Sequence, residues 1–173
     1  ADKFSINSST GELTFVSAPA FEAPTDANTD NVYEVTVQVD DGNGGTDTQT
    51  ISVTVTSVNE APVLTGSNNL TSINEDPVSN PGTLVSDLVA GQISDPDSGA
   101  LTGIAVIGVD DTNGTWECAI DGGSNWIAFG AVDASSARLL AADANTYVRF
   151  VPDANWNGTV TNGITFHAWD QTS

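Results

Sequence analysis

Apolar and polar residues alternate with a period of two along most of the chain, which predicts strands. Tyr33-Glu34-Val35-Thr36-Val37-Gln38-Val39 places its large apolar side chains on one face. A second run covers 48–58. The stretch between them, Asp40-Asp41-Gly42-Asn43-Gly44-Gly45, is rich in residues that tolerate positive φ, so the two runs are expected to form a hairpin. Earlier, 4–6 and 13–16 flank a Ser/Thr/Gly turn from Asn7 to Glu12. Further strands are predicted over 70–73, 83–85, 91–93, 103–109, 115–120, 126–129, 138–140, 147–151 and 164–169. No helix of useful length is predicted.

Four strands before Pro62 are few for an independent two-layer domain. The segment 1–62 is therefore expected to be the C-terminal part of a domain whose opening strands are absent. The segment 63–173 reads as a second domain. A long strand follows Asp41, but none follows Asp170, so this second domain is expected to lack its last strand and to present an open edge.

Charge sharpens the picture. The 173 residues include 3 Lys+Arg and 23 Asp+Glu, a formal net charge of −20. Such a chain lacks the cations that displace phosphate counterions, which argues against nucleic-acid partners and anionic membrane surfaces. Its acids gather in turns rather than scatter, as metal ligands would. A hydrophobic content of 39%, at strand spacing, argues against disorder. No apolar run of ~18 residues predicts a membrane span. Ala1-Asp2-Lys3-Phe4 has no signal-peptide pattern, so an export signal is expected outside this stretch. Cys118 is the only cysteine, which leaves metal to serve as the staple of an extracellular domain. It lies in a strand pattern, as a buried structural thiol would.

Several short motifs occur in a telling order. Phe4-Ser5-Ile6 with Thr10-Gly11-Glu12-Leu13 is followed by Pro19-Ala20-Phe21-Glu22, Val37-Gln38-Val39-Asp40-Asp41 and Asn59-Glu60-Ala61-Pro62. Ile73-Asn74-Glu75, Ser94-Asp95-Pro96-Asp97-Ser98-Gly99 and Ala168-Trp169-Asp170 come later. Together they resemble the F-x-I…T-G-x-L, L-D-x-E, V-x-A-x-D, linker, opening-glutamate, D-x-D-x-G and A-x-D motifs of cadherin-like repeats in large bacterial calcium-dependent surface adhesins. The likeness covers most of 1–99 and the last few residues. The region 100–165 resembles variant repeats of such adhesins, through Asp121-Gly122-Gly123-Ser124-Asn125-Trp126 and the run from Val151 to Gly158. Two positions depart from the pattern: Ala20 and Ser57 stand where the family has aspartate.

The resemblance implies an all-β chain of tandem antiparallel β-sandwich (cadherin/immunoglobulin-like) repeats, the first incomplete. It also implies calcium at the junction, held by Glu22, Asn59, Glu60, Asp95, Asp97 and Asp170, with Asp26 and Asp30 joining from the loop 26–30. Asp41 would face the preceding junction and Glu75 the following one. Calcium takes ~6–8 oxygens at ~2.3–2.6 Å and tolerates irregular geometry, so separate elements can share one ion. The expected role is structural: a calcium-stiffened extender of a secreted or surface-anchored adhesin, not an enzyme. Its partners would be neighbouring repeats of the same chain.

Two other readings stand beside this one. Trp156, in the polar turn Asn155-Trp156-Asn157-Gly158, and Trp126 could stack on a glycan, as in a carbohydrate-binding module of an adhesin or of a polysaccharide-degrading enzyme. The Asp121–Trp126 run also resembles an Asp-box hairpin, in which Asp121 would cap the turn and Trp126 pack beneath it. Third, a strand from another chain could complete the open edge and build a donor-strand filament. His167 has no Ser or Cys partner in a triad pattern, and no carboxylate pair stands out for glycoside hydrolysis.

Overall fold

The computed structural model describes residues 3–172, and the chain divides into two compact units at the Asn59–Glu60 bond. Strands dominate both, and all strand pairs are antiparallel.

In the first unit, β1 (Phe4–Ile6) pairs with β2 (Leu13–Phe15). Their turn is tied by Asn7, whose side-chain oxygen accepts from the backbone N–H of Ser9 at 2.9 Å. The longer pair, β3 (Val32–Asp40) and β4 (Thr46–Thr54), stays in register from Val32↔Thr54 to Asp40↔Thr46. Gly42 and Gly44 take φ of 72° and 95° in the turn, a region that only residues without Cβ strain enter easily. The core of this unit is small. Tyr33 is 2% exposed, Phe15 meets it edge-on at 5.2 Å, and Phe4 lies 4.5 Å from Phe15.

The second unit contains β5 (Val63–Leu64), β6 (Thr83–Leu84), helix α1 (Val85–Leu88), β7 (Ile93–Ser94), β8 (Gly103–Val109) and β9 (Gly114–Ala119). They are followed by β10 (Ile127–Ala128), β11 (Arg138–Ala141), β12 (Tyr147–Pro152) and β13 (Ile164–Trp169). One sheet runs β10-β9-β12-β6, a second runs β11-β8-β13, and β5 pairs with β7. Alternation sends Ile104 and Val106 of β8, Trp116 and Cys118 of β9, Leu140 of β11 and Val148 of β12 into one shared core. Val85, Leu88 and Val89 close it from α1 and the residue after it. Cys118 is buried, and burial pushes its thiol pKa up, which fits a packing role.

The structure departs from the alternation pattern in several places: β5 at Val63–Leu64 lies outside the predicted strands, and the run expected over 48–58 ends at Thr54. The predicted strand 83–85 stops at Leu84, and a single helical turn follows. Val85 and Leu88, three apart, both face the core, a spacing too short to stand out against a period of two. The predicted strand 70–73 forms no ladder. Side chains hold its neighbourhood instead: Asn68 Nδ2 donates to Asp87 O at 2.8 Å, and Asn80 Nδ2 to Phe150 O at 2.7 Å. Leu70 packs on the core, but Ile73 is 39% exposed. The strand expected over 91–93 is displaced to Ile93–Ser94 because Gly91, at φ 71°, makes a turn.

Core burial sets the stability of the second unit. Leu140→Ala empties a site that is 1% exposed and is expected to cost about 2–5 kcal/mol. Leu139→Ala, at a neighbouring position that is 42% exposed, should cost less than about 1 kcal/mol. Urea unfolding followed by tryptophan fluorescence checks the pair. Equal losses would show that Leu140 does not anchor the core.

Candidate metal centre

Short strands bring carboxylates to one end of the second unit. Pairing of Val63 with Ser94 sets the start of β5 beside the end of β7, and pairing of Gly103 with Trp169 sets the start of β8 beside the end of β13. Glu60 precedes β5, Asp95 follows β7 and Asp170 follows β13. The loop 95–102 links β7 to β8 and is tied to the end of β13 by Gln171 Nε2, which donates to Thr102 O at 2.7 Å.

Hydrogen bonds fix the loop. Asp95 Oδ1 accepts the Asp97 N–H at 2.9 Å, and Asp97 Oδ2 accepts the Glu60 N–H at 2.8 Å. A carboxylate oxygen of Glu60 and one of Asp97 lie within 4.8 Å of each other. The other oxygen of Asp95, Oδ2, has less than 1 Å² of exposed surface and accepts no hydrogen bond. Asp170, 8% exposed, accepts from both the N–H and the hydroxyl of Thr172, at 3.0 and 2.7 Å. Like charges this close repel, and a shielded carboxylate oxygen without a donor carries a desolvation cost. Hard oxygens arranged in this way could hold a metal ion, and calcium suits an irregular carboxylate set.

The remaining candidate ligands are held as follows. In the first unit, Glu22 is exposed in the bend at 21–23, Asn59 is exposed, Asp26 is half-buried and Asp30 is exposed. Asp41 caps its own turn, accepting from the N–H groups of Asn43 and Gly45 at 2.8 and 2.9 Å. In the second unit, Glu75 accepts from Asn157 Nδ2 at 3.2 Å. Asp41 and Glu75 are thus engaged locally. Gln171 and Thr172 went unnoticed in the sequence. The Asp-x-Thr spacing that lets Thr172 donate to Asp170 was a legible signal, whereas the tie from Gln171 to Thr102 was not.

The tryptophans are packed. Arg149 covers one face of Trp126 at 3.9 Å, and a Cβ on Gly82 would fall 2.6 Å from the same indole. Trp156 is half-buried, 5.9 Å edge-on from Phe150, with Gly158 close against its ring. It lines a cleft of about 1130 Å³ with Phe150, Trp116 and the segments 67–75 and 77–83. As expected of an Asp-box turn, Asp121 Oδ1 accepts the N–H groups of Ser124 and Asn125, both at 3.0 Å.

Comparison with models of protein families, with curated proteins and with solved structures found no match. The chemistry of the chain itself therefore carries the functional argument.

The turn aspartates make stability depend on pH. The Asn125 N–H and then its side-chain amide hold the Asp121 carboxyl below its ordinary pKa. The Asn43 N–H does the same for Asp41, and the Thr112 hydroxyl for Asp110. A carboxyl whose pKa is depressed by folding contributes stability above its unfolded pKa of about 3.9, and that contribution is lost as pH falls through the folded value. The melting temperature of Asp121→Asn should therefore lie below that of wild type at pH 7, and the gap should shrink below about pH 4. Thermal melts in chelator check this. A gap that persists unchanged at pH 2.5 would rule out the ionised cap.

Proposed function

We propose that this chain is a calcium-stiffened extender of a secreted or surface-anchored bacterial adhesin, built of tandem β-sandwich repeats of the cadherin/immunoglobulin type. The observation that carries the reading is Asp95 Oδ2, a shielded carboxylate oxygen without a donor, beside Asp97 and Glu60. Buried polar atoms ordinarily find a partner, and an orphaned anionic oxygen among other carboxylates asks for a cation. Asp170 adds a buried carboxylate at the same end of the second unit. Glu22 and Asn59 enter as ligands through the motif resemblance. The antiparallel pairing and the core shared by two sheets support the repeat type.

The mechanism follows from electrostatics. Without metal, clustered carboxylates repel and the segments that carry them move apart. With calcium, the same charges bind one centre and the linker stiffens. The chain then holds a terminal binding module away from the cell, and it does no chemistry itself.

Calcium should raise the melting temperature of wild type by several degrees at saturation, since ligand at 100 times Kd adds about 2.7 kcal/mol of stability. Asp95→Asn with Asp97→Asn keeps the side-chain shapes and should remove that binding. Isothermal calorimetry and thermal melts, each with calcium and with chelator, give the result. Equal binding heats in wild type and the double variant would overturn the assignment of these ligands. Absence of calcium binding in wild type, together with glycan binding lost in Trp156→Ala, would replace the reading with a carbohydrate-binding module.

A further inference from the structure

The first unit holds a second arrangement of oxygen donors. Its loop reads Asp26-Ala27-Asn28-Thr29-Asp30-Asn31, immediately before β3. Oxygen-bearing side chains thus stand at the first, third and fifth places, the spacing of calcium loops of the type Asp-x-Asx-x-Asx-Gly. In such loops the sixth residue turns sharply and is usually glycine. Here Asn31 makes that turn with φ 64°, a conformation asparagine tolerates better than most residues.

Internal bonds shape the loop. Asp26 Oδ2 accepts the Asp30 N–H at 2.9 Å, and Asp30 Oδ1 accepts the Val32 N–H at 2.8 Å. Asn28 Nδ2 donates to Asp30 Oδ2 at 2.7 Å. Those bonds alone would describe a well-capped turn. Two further atoms change the account. Asp26 Oδ1 and Asn31 Oδ1 each have less than 1 Å² of exposed surface, and neither accepts a hydrogen bond. Asn31 cannot turn its amide over at no cost, because Nδ2 donates to Phe21 O at 3.0 Å. One loop therefore shields a carboxylate oxygen and an amide oxygen, both without donors. A donor-less oxygen in such a place costs free energy, more so when it is charged. A cation bound within the loop would relieve a donor-less oxygen of either kind.

We infer that the loop 26–31 is a calcium site in its own right, with oxygen donors from Asp26, Asn28, Asp30 and Asn31. Val32, at the seventh place, would supply a backbone carbonyl, as in other loops of this spacing. A set of carboxylate, amide and carbonyl oxygens on a flexible loop suits calcium, which accepts 6–8 oxygens at roughly 2.3–2.6 Å, better than magnesium, which demands a near-ideal octahedron. The site needs nothing from Asp95 or Asp97, so it stands or falls apart from the function proposed above.

Calcium titration of the full 173-residue chain by calorimetry tests the inference, with Asp26→Asn and Asn31→Gly compared against Asp95→Asn. Asn31→Gly keeps the left-handed turn but removes the whole amide, the Nδ2 tie to Phe21 O included, so its stability in chelator is measured beside its calcium affinity. The expected result is that Asp26→Asn binds one calcium fewer than wild type. Asn31→Gly should bind at this site about tenfold more weakly, a loss of ~1.4 kcal/mol. Asp95→Asn should retain the loop site. Melting in chelator gives the cost of the lost tie to Phe21 O, and a cooperative transition there shows that Asn31→Gly still folds, so its weaker calcium binding is read apart from that cost. If Asp26→Asn and Asn31→Gly both bind as many ions as wild type with unchanged affinity, the inference is overturned, whatever Asp95→Asn does. If Asp95→Asn alone loses an ion, the loop is a capped turn and only the second-unit site stands. If wild type binds no calcium, both fall.

Discussion

A shortage of positive charge constrains this chain more than any other feature. Three basic side chains face 23 acidic ones, so ion pairing can serve few of the carboxylates. Arg149 shows what one cation must do: it pairs with Glu117 at 2.6 Å, covers the Trp126 ring and donates to Asn80 O at 3.0 Å. The other acids need partners of another kind. Backbone N–H groups in turns provide them, and short strands joined by many turns offer such groups in number. Asp41, Asp121, Asp133 and Asp143 each accept from N–H groups two to four residues ahead. The acidity and the abundance of turns thus support each other, because each turn needs an acceptor and each carboxylate needs donors.

The two units meet this constraint with unequal cores. In the second, side chains from both larger sheets and from α1 share one interior, and six of them are under 2% exposed. Edge-of-sheet segments such as 67–83 can therefore be held by side-chain ties rather than by ladder bonds. Among the described residues of the first unit, Tyr33 is the one fully buried large side chain, at 2% exposure, steadied by Phe15 and by the Thr25 N–H, which donates to its hydroxyl at 3.0 Å. The β3–β4 pair then depends on cross-strand contacts such as Val35 with Ile51 more than on enclosure. A unit of this kind gains most from any ligand that ties its loops, since burial contributes little there.

Much of the fold could be read from alternation, because a half-buried strand writes its geometry directly into the order of residues. The long pair β3–β4, the central strands β8, β9 and β12, and the terminal β13 all appear in that order. Alternation failed where side chains rather than ladders position the backbone. The helical turn at Val85–Leu88 is too short to impose its own period. The segment 70–73 has strand-like composition but meets β6 through a side chain, the Thr71 N–H donating to Thr83 Oγ1 at 3.4 Å, rather than through ladder bonds. The carboxylates of the candidate metal centre, Glu60, Asp95, Asp97 and Asp170, could be picked out through the resemblance of their motifs to those of cadherin-like repeats. Which oxygen of each carboxylate keeps a donor could not be read. That depends on long-range bonds such as Glu60 N–H to Asp97 Oδ2, across 37 positions of sequence.

The division of labour between the two oxygens of one carboxylate separates caps from candidate ligands. In Asp121 both oxygens are occupied: Oδ1 by two N–H groups and Oδ2 by the Asn125 amide at 2.6 Å. Such a residue has nothing left to offer a cation without breaking its turn. Asp95 and Asp26 differ. In each, one oxygen holds the local loop by accepting an N–H two or four residues ahead, while the other is shielded from solvent and accepts nothing. The first oxygen fixes the orientation of the group before any ion arrives, so little ordering cost remains for binding. The second faces a space in which water cannot reach it and no protein donor does. Acidic turns are common in this chain, and composition alone cannot rank them. A carboxylate tethered by one oxygen and without a donor at the other ranks above such caps as a candidate ligand, because a cation would complete it.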